Sequence, residues 1–362
     1  MSTVQEILNV MGQIENGVFS VNFFLCTLSI FINCFHLFII TRKSMRTSSI
    51  NVLMIGIAVC DLCSMFVSIY KYFMLVDREY PECITSDSLL KVYMDVTAWS
   101  FQYQFRRCSC WLGIVMATVR YVIMRRMSDV RHAKLAEPRV GFIIIAIVFF
   151  SSLLLTITWQ FECEVIENRN YSLALNCAEH QNINSNPKFS LILRHASNIA
   201  DVIILRTYFI LDATVSNFIP CFAFPTLTFL LLREIQKIKE AREQLRRNSV
   251  TEDNEEKYGL TTKLIVFLTV TFFMSEAPLG IIATVKTFLD RSDNRFRLST
   301  DLIIYFTILV TINSILHPIF CILMSSQYRE TVRSLFGAKR KTSTIICGPQ
   351  LSAVSTQFVQ MT

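Results

Sequence analysis

Seven long apolar stretches punctuate the chain, at 19–41, 50–74, 94–124, 139–160, 206–232, 260–288 and 298–324. Each reaches the ~20 residues that carry a helix, rising about 1.5 Å per residue, across a hydrocarbon layer about 30 Å thick. Only helices and closed barrels satisfy all their backbone groups in lipid. Continuous runs such as Phe142 to Leu155 lack the alternation that a barrel strand requires. The expected fold is therefore all-α, a seven-transmembrane helix bundle. Composition points the same way: 52% of residues are hydrophobic, 17% are charged and the mean hydropathy is +0.43. Soluble domains carry about 25% charged residues, so large surfaces here face something other than water. Disordered chains, coiled coils and small disulfide scaffolds are excluded.

Basic residues set the orientation, because Lys and Arg accumulate on the cytoplasmic side. The segments after the first, third, fifth and seventh spans hold 20 of them, and the opposite side holds 11. The N-terminus is expected outside and the C-terminus inside. Residues 1–18 carry Glu6 and Glu15 but no Lys or Arg, so they lack the basic start of a cleavable signal peptide. The sequon Asn170-Tyr171-Ser172 falls after the fourth span, on the lumenal or extracellular side where glycosylation occurs, and agrees with the charge count. The chain thus divides into an extracellular N-terminus (1–18), a membrane domain (19–324) and a cytoplasmic tail (325–362). Its net charge of +7 lies at the membrane's inner face and implies a lipid bilayer as partner, not nucleic acid.

Of the 12 cysteines, Cys26, Cys34, Cys60, Cys63, Cys108, Cys110, Cys221 and Cys321 lie in spans, where thiols act as small hydrophobes. Cys83, Cys163 and Cys177 lie outside. One disulfide is expected among them, with Cys83 and Cys177 the preferred pair and the odd count leaving the partner open. The segment from about 161 to 205 is long and polar, suited to a lid over the outer mouth or to a plain connector. On the inner side, the fifth span continues as a charged helix in which Glu234–Lys237 and Glu243–Arg247 are spaced for side-chain pairing. After the seventh, Tyr328, Val332, Leu335 and Phe336 share one face of a short amphipathic eighth helix expected to lie on the membrane. Cys347 beyond it is a weak acylation candidate.

Ionisable residues deep in spans are costly and mark functional sites. Here they are Asp61, Arg106, Arg107, Arg120, Asp212, Glu276 and His317. Burial requires them to pair or to line a hydrated cavity. Arg106, Ser109 and Arg120 are separated by nearly whole helical turns and should all face the interior, with Arg106 about 21 Å above Arg120. Arg106 is expected to pair with Glu276 or Asp212. Arg107 points about 100° away, toward a role in packing or folding.

Asn33 in FINCFHL, Asp61 in IGIAVCD, RRCSCWLGIVMATVRY (Arg106 to Tyr121), IPCFAFPTLT, FFMSEAPLG and NSILHPIF followed by MSSQYR occur in this order across nearly the whole chain. Together they resemble a rhodopsin-like G-protein-coupled receptor, and more closely the nematode serpentine receptors of class W, a chemoreceptor family akin to FMRFamide-type peptide receptors. The resemblance implies a multi-pass plasma-membrane receptor. Its partners would be an extracellular peptide or small-molecule ligand and a heterotrimeric G protein, and it would use no cofactor.

By that resemblance Arg120, followed by Tyr121, is the inner-end arginine of the third helix that reaches toward the G protein, and Pro278 and Pro318 are the helix-bending prolines. Asp61, Ser109, Asn313 and His317 match the positions around the family's water and sodium pocket, where His317 replaces an Asn. Arg106, Glu276, Asp212 and Tyr103 are the candidate ligand-binding residues. Several positions depart from the family pattern: Val119 replaces the acid before the arginine, Cys321 and Thr228 replace two tyrosines, and Glu276 stands where a tryptophan is usual. The cysteine usual at the outer tip of the third helix would fall near Asp95, so Cys83 acts from the preceding loop or the pairing differs from the family's.

No catalytic residue is expected, since the chain has no phosphate loop, HExxH helix or GxSxG elbow. The seventh span lacks the Lys that a retinal Schiff base needs. A transporter or channel using Asp61, Glu276 and His317 as a proton or cation path is the alternative. It would predict internal repeats, and the two halves of the chain do not resemble one another.

Overall fold

The computed structural model of the chain describes residues 2–76, 88–125, 134–168, 188–193, 199–245, 253–289, 293–324 and 326–335. Its helices are α1 (Ser2–Ile40), α2 (Ser49–Val76), α3 (Leu89–Arg125), α4 (Pro138–Glu162), α5 (Ile199–Ala213), α6 (Ile219–Leu245), α7 (Asp253–Thr287), α8 (Asn294–Met324) and α9 (Ser326–Leu335). A 3-10 turn, Lys134–Ala136, precedes α4. Among the described residues six helical stretches are long and apolar enough to cross a membrane. The remaining expected span, 260–288, coincides with α7 up to Thr287, and the side chains of α7 are described from Thr269 onward.

Helix starts follow local chemistry. Ser48 accepts from the Asn51 backbone N–H at the head of α2, Asp293 does the same for Arg295 at the head of α8, and Pro138 occupies the first position of α4. The Arg329 guanidinium donates to the Leu323 carbonyl, closing the last turn of α8.

The bundle is turned inside out relative to a soluble protein. On α1 the exposed stripe is Phe24, Phe31, Phe35 and Phe38, while Ser29, Asn33 and His36 are fully buried. Small and polar residues therefore face neighbouring helices and aromatics face the lipid. α4 carries the most lipid surface, exposing Phe142, Ile143, Ile147, Phe150 and Leu154. α1 packs on both α2 and α8, and α7 bridges α6 and α8, which closes the ring. α3 runs through the middle, against α2, α4 and α6.

Three features differ from expectation. The first helix begins at Ser2, so the expected N-terminal segment 1–18 continues into α1, and the Tyr305 hydroxyl of α8 donates to the Met11 carbonyl. The loop after α4 contains an antiparallel pair, β1 (Cys163–Asn168) and β2 (Lys188–Leu193), with Cys163 opposite Leu193. The fifth span is broken by a π-helical turn, Thr214–Phe218. Pro220 explains the break: it has no N–H, and its ring would strike the carbonyl one α-turn back. The Val215 carbonyl left over accepts instead from the Trp111 indole at 3.1 Å.

The π turn seats against α7 at Gly280, where a Cβ would lie 2.9 Å from the Cβ of Asn217. Gly280→Val should therefore push the two elements apart at a cost of about 1–3 kcal/mol. The expected result is a lower thermal midpoint for the purified protein, and an unchanged midpoint would show that the contact relaxes freely.

Candidate functional site

Neighbouring arginines on α3 sit at two ion pairs that fan out by about one helical step of 100°. Arg106 Nη2 donates to Glu276 Oε2 at 3.0 Å, joining α3 to α7. The Glu276 side chain is 3% exposed and that of Arg106 is 19% exposed, so the cation is the accessible partner. Two residues beyond Glu276, Pro278 lies inside α7 and removes a backbone donor next to the pair.

Arg107 reaches the other way. Its Nη2 donates to Asp212 Oδ1 at 2.6 Å, its Nε to Ser216 Oγ at 2.8 Å and its Nη1 to the Ser152 carbonyl at 3.0 Å. Ser216 also donates to Asp212 at 2.9 Å, while Thr156 donates to Gln104 at 2.6 Å. One guanidinium thus ties α3 to α4, α5 and the π turn. Of the two acids expected for Arg106, Glu276 is its partner and Asp212 is the partner of Arg107; Arg107, expected to serve packing or folding, is the centre of a buried polar network. Burial left it no other option, because a cation that is 4% exposed must have its donors met.

Toward the far end of the bundle from Arg120, Lys71 extends between Trp99 and Tyr103. It lies 4.3 Å from the Trp99 ring centroid and 5.9 Å from that of Tyr103, and it donates to Gln102. The Tyr70 hydroxyl donates to Asp95 at 3.0 Å. Tyr103 is half exposed beside this cluster. Lys71 is one of the 11 basic residues on the outer side. Its position within the 50–74 stretch was the signal that it belongs with the intramembrane charges.

Below the ion pairs, Ser109 Oγ donates to Asp61 at 2.7 Å, bringing together two of the four expected sodium-pocket residues. Asn313 Oδ1 meets Thr271 at 3.5 Å, a weak contact. His317 faces a different cluster: its ring lies edge-on to that of His36, with centroids 6.1 Å apart, and Tyr328 stacks on the other histidine at 5.5 Å. Tyr328 is fully buried, whereas it was expected on a lipid-facing surface. Burial pushes its phenol above the ordinary range, so it remains a neutral hydroxyl.

Pro318 leaves the Ser314 carbonyl without a helical donor, and Asn33 Nδ2 supplies one at 3.3 Å. Arg120 lies within electrostatic reach of His317 and Cys321, and no carboxylate pairs with it among the described residues. Val119 before it is buried. Tyr121 packs on Leu231 and Ile235 of α6 and accepts from Arg125. On α6, Lys237 pairs with Glu234 at 2.9 Å. Asn170, Cys83, Cys177, Arg247 and Cys347 lie outside the described residues, as does the side chain of Cys163.

Comparison with known proteins agrees with this architecture. The chain is 20% identical over 307 residues to the G-protein coupled receptor dmsr-1 of Caenorhabditis elegans, a match covering 73% of this chain and 57% of that protein. The chain therefore spans little more than half the length of this curated relative. Residues 20–339 match the sequence model of the serpentine type 7TM GPCR chemoreceptor Srw family. That match runs through all seven membrane-spanning segments and both arginine sites, and the chain belongs to the Srw family of seven-transmembrane G-protein-coupled chemoreceptors.

Proposed function

We propose that this chain is a plasma-membrane receptor whose extracellular ligand competes for the Arg106–Glu276 pair and whose inner face, centred on Arg120 and Tyr121, then engages a heterotrimeric G protein. The observation that carries the reading is the pair itself: a buried bridge between α3 and α7, two residues from a helix-bending proline, with its cation the more accessible partner. A ligand that presents an anionic or hydrogen-bond-accepting group to Arg106 would release Glu276 and shift the balance between two helix arrangements. Lys71 favours the same ligand group by its charge, and the half-exposed Tyr103 lies beside it. The ligand class is a neuropeptide or a small chemosensory cue, in keeping with a relative named as a G-protein coupled receptor and a family named for chemoreception. Asp61 with Ser109 forms an interior polar site of the kind that holds a sodium ion in related receptors. Asn170 is a glycosylation site and Cys83 with Cys177 the favoured disulfide on this reading, with the N-terminus outside.

The test is a second-messenger screen, reading calcium and cyclic AMP, of surface-expressed protein against amidated neuropeptides and small acidic odorants. The expected result is a saturable response that Arg120→Ala abolishes while surface expression holds. A response that survives in that variant removes Arg120 from the coupling face.

A further inference from the structure

We propose that His36, His317 and Cys321 form a transition-metal site, taking zinc, where the end of α1 meets the end of α8. One donor atom from each of the three lies within 4.8 Å of the other two. His317 and Cys321 are four residues apart on α8 and so share one face of it, and His36 meets them from α1. Tetrahedral zinc, with nitrogen at about 2.0 Å and sulfur at about 2.3 Å, spaces its ligands roughly 3.3–3.7 Å apart, a contraction within reach of side-chain rotation.

The polar atoms here also lack another use. Nε2 of His36 and Nδ1 of His317 are buried and have no hydrogen-bond partner among the described residues. Two imidazole nitrogens left this way cost free energy, and buried groups of this kind in native proteins are normally met by a hydrogen-bond partner, an ordered water or an ion. His36 itself is fully buried, so solvent does not relieve it.

The surroundings suit a metal. Nδ1 of His36 lies 3.2 Å from the Tyr328 hydroxyl. When Nδ1–H donates to that oxygen, the lone pair of Nε2 is free to bind metal, which is the arrangement that fixes the tautomer of metal-binding histidines. The Cys321 thiol points at the Met54 thioether, with the two sulfurs 3.4 Å apart, so a second soft donor from α2 borders the site. Two imidazoles, a thiol and a thioether select a borderline-soft cation and leave nothing for magnesium or calcium, which require oxygen ligands. Binding is balanced by loss of one proton: the Cys321 S–H bond breaks, the sulfur takes up the metal as thiolate, and the proton goes to solvent.

The site joins α1 to α8, with its two α8 ligands on either side of Pro318, so bound zinc would hold α1 and α8 in the present arrangement. It involves none of the residues proposed to touch the receptor's ligand, and its test stands apart from any signalling assay. Full-length protein in lipid nanodiscs, stripped with a chelator and equilibrated with Zn2+, should retain about one zinc per chain by elemental analysis, and Mg2+ should not compete. Cobalt in place of zinc should give a thiolate-to-metal charge-transfer band. Cys321→Ser, a near-isosteric change, should remove that band and weaken zinc binding by more than about ten-fold, and Tyr328→Phe should weaken it by about ten-fold. Cys34→Ser, at a lipid-facing thiol, should change neither. Absence of stoichiometric zinc in the unaltered protein would overturn the proposal, and so would a cobalt spectrum without a thiolate band, which needs no variant to fold.

Discussion

Arg107→Lys is expected to destabilise the receptor almost as severely as Arg107→Ala, although it preserves the charge. The three guanidinium nitrogens serve three directions: Nη2 faces Asp212, Nε faces Ser216, and Nη1 faces Ser152 and Thr156. A single ammonium on a flexible stem cannot occupy all of these points, and whichever it abandons is left buried. Removing one partner of a buried pair costs about 3–5 kcal/mol, because the remaining charge stays desolvated. Asp212→Asn removes the counter-charge of a guanidinium that is only 4% exposed, so it should destabilise too, softened by the amide oxygen that can still accept from Nη2. Replacing both Arg107 and Asp212 with apolar residues of similar volume should recover much of the loss, since such exchanges are often close to neutral. The measurement is the thermal midpoint and monodisperse yield of purified protein. A Lys variant matching the unaltered protein would mean that charge alone, and not the forked geometry, holds α3 to α4 and the π turn.

The sequence made the bundle legible because lipid imposes a simple demand on length and polarity. The spacing of Arg106, Ser109 and Arg120 placed all three toward the interior, and the contacts of Arg106 with Glu276 and of Ser109 with Asp61 follow that register. The polar network of Arg107 is not legible from one interior face of α3. A helix packed against α2, α4 and α6 has interior on most of its circumference. The π turn had a visible cause in Pro220, but a proline predicts that a hydrogen bond is lost, not which of several local windings absorbs the loss. His317 could be placed at a height in the membrane by its sequence position. Its direction, toward His36 and Tyr328 and not Asp61, depends on how α1 and α9 close on α8, and that contact spans most of the chain. The pairing of β1 with β2 was hidden for the same reason: in a long polar segment nothing local specifies register.

Exchanging the charges of Arg106 and Glu276 should restore what either reversal alone destroys. Arg106→Glu sets two carboxylates against each other, and Glu276→Arg does the same with two guanidiniums, with Lys71 already within electrostatic reach of Arg106. The two truncations should differ from one another. Arg106→Ala abandons a carboxylate that is 3% exposed, the case that costs about 3–5 kcal/mol, whereas Glu276→Ala leaves an arginine with some access to the cavity and should cost less. In a double-mutant cycle on thermal midpoint, the swapped pair should show a favourable coupling of about 1–3 kcal/mol beyond the sum of the single changes. Ligand-stimulated signalling should fall in both single reversals. In the swapped receptor the accessible group is an acid, so its preference should move from ligands with an acidic group toward ligands with a basic one. Strictly additive effects on stability would show that the 3.0 Å contact carries no coupling. Restored stability with an unaltered ligand preference would retain the bridge as a structural tie between α3 and α7 and take it out of ligand recognition.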